Sequence, residues 1–327
     1  MLWDIFCRVV DNLGDAGVCW RLSCDLASRG ETVRLWIDEP APLAWMAPEG
    51  CTGVSVIPWI GALPDLHPGD VVVEAFGCDP PAAFVARMVQ RDRPPAWINL
   101  EYLSAEAYVE RCHGLPSPRS SGPGAGLVKR FFYPGFTPAT GGLIRERDLM
   151  REHARFDRSS WLRSHGIATH EGERLVSLFC YDNAALPWLL EKLTTEPTLL
   201  LAAHGAAIDQ VRVVLGPTLQ RGMLRAIALP RLTQTNYDRL LWSCDINFVR
   251  GEDSFVRAQW AGVPFVWQAY AQRDGAHAAK VDAFLERFLD GAGTADAAAV
   301  RALFAASNGL APPPPALPPR DSRQAPR

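Results

Sequence analysis

The sequence of 327 residues predicts an α/β protein built from two doubly wound domains, on three observations. Short apolar runs alternate with helix-length segments, as parallel strands and their crossover helices do. The alternation lapses between about residues 113 and 160 and resumes at RLVSLFCY (174–181), so it falls into two blocks. A chain of this length also exceeds the ~250–300 residues at which a single hydrophobic core stops growing.

In chain order, WDIFCRVV (3–10) reads as a first buried strand, DNLGDAG (11–17) as a turn, and VCWRLSCDLASRG (18–30) as a helix that Gly30 closes. TVRLWID (32–38) is the second strand, and GDVVVEAF (69–76) and PAWINLEYL (95–103) complete the first block. The interval that breaks the pattern holds GLPSPRSSGPGAG (114–126), the aromatic cluster KRFFYPGF (129–136) and the charged, helix-like LIRERDLMREHARF (143–156). The second block runs through RLVSLFCY, PTLLLAAH (197–204), CDINFV (244–249) and PFVWQAY (264–270), each bounded by Gly, Pro, Asp or Asn. A helix AHAAKVDAFLERF (276–288) follows, and the Pro-rich APPPPALPPRDSRQAPR (311–327) cannot build a core. The expected domains are 1–168 and 172–311, with 312–327 as a disordered tail.

Composition removes several function classes. The 33 Lys and Arg against 36 Asp and Glu leave a net charge of −3, which excludes a generally basic nucleic-acid binder. No run approaches ~18 apolar residues, so no membrane span is expected. The opening MLWDIFCR carries an acid and a base inside its apolar run and reads as a strand rather than a signal peptide. Eight cysteines (Cys7, Cys19, Cys24, Cys51, Cys78, Cys112, Cys180, Cys244) are scattered, with no Cys-x-x-Cys pair. Neither a disulfide framework nor a zinc site is expected, and a cytoplasmic location is.

The first turn, Asp11-Asn12-Leu13-Gly14-Asp15-Ala16-Gly17, is not a dinucleotide fingerprint. The first glycine of Gly-x-Gly-x-x-Gly is missing, and two carboxylates stand where a diphosphate would approach. Asp11 and Asp15 lie at the carboxyl end of a strand, where open α/β sheets place ligands. Paired carboxylates there suit proton abstraction or orientation of a cationic group. The alternative is that one or both cap the following helix. Glu74 and Glu101, also at strand ends, either line the same region or face solvent.

The most informative stretch runs from Leu241 to Trp267. It parses as a strand (245–249), a loop from Arg250 to Ser254, a helix (255–261), a turn at Gly262 and a strand (264–267). The first amides of such a helix lack intrahelical partners and make an anion site. Arg250 adds a cation, and Ser254 either caps the helix or donates to a phosphate oxygen. Phe179 and Tyr181 are placed to stack on a base, Gln234 and Tyr237 to read its edge, and Tyr270 to reach a phosphate. The histidines, among them His113, His204 and His277, show no ligand spacing and read as structural.

Beyond these features, the segments WDIFCRVVDNLGDAGVCWRLSCDLA, VVEAFGCDPP, WINLEYLSAE, CHGLPSP, FFYPGF, TGGLIRE, LFCYDN and YDRLLWSCDINFVRGEDSFVRAQWAGVPFVW resemble the protein-arginine rhamnosyltransferase family, EarP. They run in order from residue 3 to about residue 285. The resemblance implies a GT-B glycosyltransferase, two Rossmann-like domains facing a cleft, with acceptor bound on the N-terminal side and donor on the C-terminal side. It implies inverting, metal-independent transfer of L-rhamnose from dTDP-β-L-rhamnose to one arginine of translation elongation factor P, supporting rescue of polyproline stalls. No cofactor, nucleic acid or membrane is implied.

By motif, the resemblance makes Asp15 the general base and Asp11 its neighbour holding the acceptor guanidinium. Arg250, Glu252, Asp253 and Ser254 match the donor-holding loop, with Glu252 counted among the catalytic carboxylates. Tyr270 matches a tyrosine near the diphosphate, and Phe179, Tyr181, Gln234 and Tyr237 match the nucleotide pocket. The chain departs from the family at Arg231, where an aromatic is usual, at Ala271 in Tyr270-Ala271-Gln272, and in its Pro-rich C-terminus. The rival readings are a nucleotide-sugar epimerase on the same scaffold, or a catalytically weak binder of elongation factor P or dTDP-sugar.

Overall fold

The computed structural model describes residues 1–11, 13–59, 65–272 and 275–318. The chain divides into two compact units, Met1–Arg147 and Asp148–Arg327. The first holds β1 (Leu2–Cys7), α1 (Gly14–Ser28), β2 (Thr32–Ile37), α2 (Leu43–Met46), β3 (Val54–Pro58), β4 (Val71–Ala75), α3 (Ala82–Val89), β5 (Ala96–Leu100), α4 (Tyr108–Cys112), β6 (Pro116–Pro118) and β7 (Val128–Phe132). The second holds α5 (Leu149–Ala154), α6 (Arg158–Ser164), β8 (Arg174–Leu178), α7 (Leu186–Leu193), β9 (Thr198–Ala202), α8 (Ala206–Leu215), β10 (Gln220–Arg221), β11 (Leu224–Ala228), α9 (Gln234–Ser243), β12 (Ile246–Arg250), α10 (Asp253–Ala261), β13 (Phe265–Gln268), α11 (Ala276–Phe288) and α12 (Thr294–Ser307).

The first sheet has the order β3-β2-β1-β4-β5-β7-β6, parallel except where β6 pairs antiparallel with β7. The second has the order β10-β11-β9-β8-β12-β13, parallel except for β10. In each sheet the first strand of the unit sits centrally and the winding reverses beside it, between β1 and β4 and between β8 and β12. Those reversals are the switch points at which doubly wound sheets bind ligands.

The central strands are apolar on both faces because helices cover both. In the first unit Ile5, Cys7, Val33, Leu35, Val71 and Val73 pack with Ala16, Cys19 and Trp20 of α1, while Phe6, Trp36, Val72 and Trp97 pack with Phe84 and Met88 of α3. In the second, Leu175, Leu199 and Leu201 pack with Leu240 of α9 and with Trp161, Leu162 and Ile167. That last contact sets the domain boundary. It falls at Arg147, earlier than the 168–172 expected from sequence, because the α6 segment buries its apolar side chains in the second core.

The helix α1 also starts earlier than expected, at Gly14, so Asp15 lies in its first turn. The aromatic segment after residue 128 is a strand rather than irregular chain, and β3, β10 and β11 join the sheets as peripheral partners. Of the Pro-rich tail, residues 311–318 form no helix or strand, and 319–327 lie outside the described residues. No described helix is long and apolar enough to cross a membrane.

Candidate functional site

The first unit gathers hydrogen-bond acceptors at the carboxyl ends of β1, β4 and β5. Asp15 is 2% exposed and turns back over the loop, where its Oδ2 accepts the backbone N–H groups of Val10 (2.8 Å) and Asp11 (2.9 Å). Its Oδ1 accepts the Tyr102 hydroxyl at 3.1 Å. A carboxylate offers about four lone-pair sites, so roughly one remains. The Asp11 carboxylate, 9% exposed, lies against Gly14, where a Cβ would stand 2.7 Å from Oδ2. Leu13 precedes the helix with no side-chain cap, so Asp15 braces the turn rather than capping α1 in the expected sense.

Tyr102 is held in place by stacking on Phe76, with ring centroids 4.2 Å apart and planes at 10°. Phe76 adopts a left-handed backbone, φ 58°, a conformation costing a bulky residue about 1–2 kcal/mol. Its N–H donates to the Leu100 carbonyl at 2.6 Å, which fixes that turn. Glu101 accepts from Asn99 Nδ2 at 2.5 Å. Burial, followed by the charge of Glu101, pushes the Tyr133 phenol up to about 12. Glu74 does neither of the things expected of it. It is fully buried, ion-paired with Lys129 and hydrogen-bonded by Trp97, because its side chain points under α3.

The second unit gathers the opposite chemistry at the carboxyl ends of β8 and β12. The Arg250 guanidinium lies over the Phe179 ring at 4.3 Å and the Tyr181 ring at 4.4 Å, so two predicted base-stacking residues clasp the predicted cation. Tyr237 meets Phe179 edge-on (5.7 Å), and Tyr270, 45% exposed, meets Tyr181 edge-on (5.6 Å). The Tyr237 phenol is buried beside Ser254, and burial holds it far above the ordinary range although Ser254 opposes the shift. Gln234 is buried at the start of α9, which Thr233 caps by accepting the Asn236 N–H.

The helix α10 begins at Asp253, two residues before the expected start, and Glu252 precedes it without a side-chain cap. Ser254 therefore lies inside the helix and donates to the Arg250 carbonyl instead of capping. The loop is braced from below. Gly251 adopts φ 66°, its N–H donates to the Gln268 carbonyl (3.0 Å), and Trp267 Nε1 donates to its carbonyl (2.7 Å). Gln268 Oε1 accepts the Tyr181 N–H, and a buried bidentate pair, Arg257 with Asp238, locks α10 to α9.

Sequence reasoning missed Tyr102, Gln268, the Arg257–Asp238 pair and Lys280, whose Nζ lies 3.7 Å from Glu252 Oε2. Tyr102 carried a faint signal, as the aromatic ending a predicted strand. The others carried none, since their partners are distant in the chain. His113 and His277 hold backbone N–H groups through Nδ1, as structural histidines do. Among the described residues no group of three or more His, Cys, Asp and Glu side chains is arranged to hold a metal ion. The eight cysteines are free thiols.

Two doubly wound units, one with paired carboxylates and one with an arginine-bearing loop leading into a helix at its switch point, define the GT-B class of glycosyltransferase fold. The family can be stated more closely. Residues 3–324 match the family model described as Elongation-Factor P (EF-P) rhamnosyltransferase EarP, and the chain belongs to that family of enzymes. A protein-arginine rhamnosyltransferase of Pseudomonas aeruginosa is 46% identical over 312 residues, covering 88% of this chain and 82% of the relative. One of Shewanella oneidensis is 37% identical over 329 residues, covering 88% and 81%. A solved structure described as the basis for EarP-mediated arginine glycosylation of translation elongation factor EF-P is 33% identical, with a TM-score of 0.63 over 94% of this chain and 84% of that one.

Proposed function

We propose that the enzyme moves L-rhamnose from dTDP-β-L-rhamnose to an arginine side chain of elongation factor P, with inversion at the sugar carbon. The observation that carries this reading is the Arg250 guanidinium clasped by Phe179 and Tyr181 beside the start of α10. A planar cation beside the positive end of a helix dipole forms a receptor for a diphosphate. The surrounding Phe179, Tyr181, Gln234 and Tyr237 offer a face for the base, and Asp253, Ser254 and Tyr270 flank the phosphates.

In the transfer, a guanidinium nitrogen attacks the anomeric carbon while the bond from that carbon to the diphosphate oxygen breaks. The electron pair leaves with the dTDP, where Arg250 and the positive end of the α10 dipole receive the charge. Guanidinium holds its protons at any physiological pH, so the nitrogen must lose one as it attacks. Asp15 takes that proton at its remaining lone pair, and Asp11, the more accessible carboxylate, orients the acceptor. Glu252 acts on the donor sugar. The reading requires neither a metal ion nor an organic cofactor, and it places the reaction in the cytoplasm with no nucleic acid or membrane partner.

Intact-mass spectrometry of elongation factor P, after incubation with the enzyme and dTDP-β-L-rhamnose, tests this directly. The expected result is a gain of one deoxyhexose, mapped to a single arginine. Binding of both partners without any gain would leave only the binder reading. Failure to bind dTDP-sugar would remove the donor assignment.

A further inference from the structure

Glu252 stands at the N-terminus of α10 with a partner that the donor reading does not use. Lys280 Nζ lies 3.7 Å from its Oε2, and the two side chains are only 25% and 13% exposed. At that distance the contact is an ion pair rather than a hydrogen bond. A carboxylate at a helix N-terminus is already favoured by the helix dipole and needs no cation to be stable there.

Packing fixes the position of Lys280. Phe284, four residues on along α11 and so on the same face, meets Phe255 edge-on at 4.8 Å. Phe255 in turn follows Glu252 by three residues on α10, so the same two helix faces that join the phenylalanines bring Lys280 to Glu252. Val281 and Leu285 are buried beside them, which holds α11 against rotation. A lysine brought here is a compact point charge on a flexible stem, suited to offset the Glu252 carboxylate. The charge to be met there is larger than one cation balances, because a diphosphate leaving a sugar gains negative charge as the bond breaks. Arg250, held over two rings, supplies one positive charge.

We propose that Lys280 is a positioning residue of the donor site, one that holds the Glu252 carboxylate at the start of α10 and offsets its negative charge, so that the carboxylate does not repel the departing diphosphate. The proposal rests on the donor reading above. Its test is calorimetric titration with dTDP, together with steady-state transfer from dTDP-β-L-rhamnose, for the wild type, K280M and K280R. K280M is expected to weaken dTDP binding about tenfold at low salt, with the gap narrowing as salt rises, and to lower kcat as well as raise the donor KM. K280R, which keeps the charge, is expected to recover most of the dTDP affinity. Unchanged dTDP affinity and kcat in K280M would overturn the proposal, as would K280R losing as much as K280M. If the wild type itself bound no dTDP, the donor reading would fall and this role with it, whereas a silent K280M alone leaves the donor reading standing.

Discussion

The two units share one architecture and present opposite chemistry. Each winds its sheet outward from a central first strand, and each puts its polar groups at the switch point beside that strand. In the first unit Asp15, in the first turn of α1 after β1, folds back to accept the loop's backbone N–H groups, and the neighbouring groups are Asp11 and Tyr102, with Glu101 next to Tyr102 in the chain. What that region offers a ligand is acceptors and aromatic edges, the needs of a cation. In the second unit Arg250 is held over two rings beside the start of α10, so the region offers a cation and the positive end of a helix dipole, the needs of an anion. The sheet decides where a ligand goes, and a handful of loop residues decide its charge.

The sharpest break of that contrast comes from Asp15. Asp15→Asn keeps an oxygen for the Val10 and Asp11 amides but removes the charge and the proton acceptor. We expect transfer to fall by about 10²–10⁴, while calorimetric titration finds dTDP affinity as in the wild type. Normal turnover would show that the first unit's carboxylate is structural only. The counterpart in the second unit is Arg250→Ala, expected to weaken dTDP binding by about 10–100-fold, in line with the worth of charged hydrogen bonds. Arg250→Lys should recover little of this, since a compact ammonium lacks the planar surface that stacks over the Phe179 and Tyr181 rings. Full affinity in the lysine variant would mean that charge alone matters there and the clasp does not.

A smaller effect separates placement from identity. Gly14 has ordinary helical geometry rather than positive φ, so alanine fits its backbone, yet an added Cβ would stand 2.7 Å from Asp11 Oδ2. Gly14→Ala should therefore push the Asp11 carboxylate aside without unfolding the helix. The expected outcome is a rise in the KM for the acceptor of about tenfold, consistent with lost charge-assisted bonds, and a melting temperature no lower than the wild type. An unchanged acceptor KM would remove Asp11 from acceptor binding.

How much of this was legible in the sequence follows the same division. The central strands could be read because both their faces are apolar, so each appears as a continuous run such as VVVEA or TLLLA. The edge strands were missed for the converse reason: β10 and β6 are short and exposed, and β3 carries its apolar residues unevenly. At the site, Asp11, Asp15, Arg250, Phe179 and Tyr181 could be picked out because strand ends are where ligands bind. Their partners could not, since the Tyr102 hydroxyl reaches Asp15 across 87 residues and Gln268 reaches Tyr181 across as many. The start of α10 was misplaced because Ser254 looks like a cap, whereas in the fold its hydroxyl turns back to the Arg250 carbonyl.

Acid titration should sharpen the comparison as well, because Glu74 in the first unit and Glu173 in the second are each paired with a cation and shift in opposite directions. Burial under α3 raises Glu74 above its usual 4.5, although Lys129 opposes the shift. The folded unit therefore holds that proton more tightly than the unfolded chain, and this group's contribution to stability falls as pH climbs from the ordinary carboxylate range through the raised value. Glu173 is half-buried, and the loss of solvent pushes it the same way. There the bidentate Arg225 guanidinium and the His170 N–H together outweigh it, so Glu173 titrates below 4.5. Its stabilisation is present above the unfolded value and lost as pH falls through the folded one. Calorimetric melting from pH 3 to 7 should show Glu74→Gln flattening the decline above the ordinary carboxylate value of 4.5, and Glu173→Gln removing stability above 4.5 that is absent at the acid end. The same slope change in both variants would mean that the cation partner does not set the sign, and that the two units treat a paired carboxylate alike.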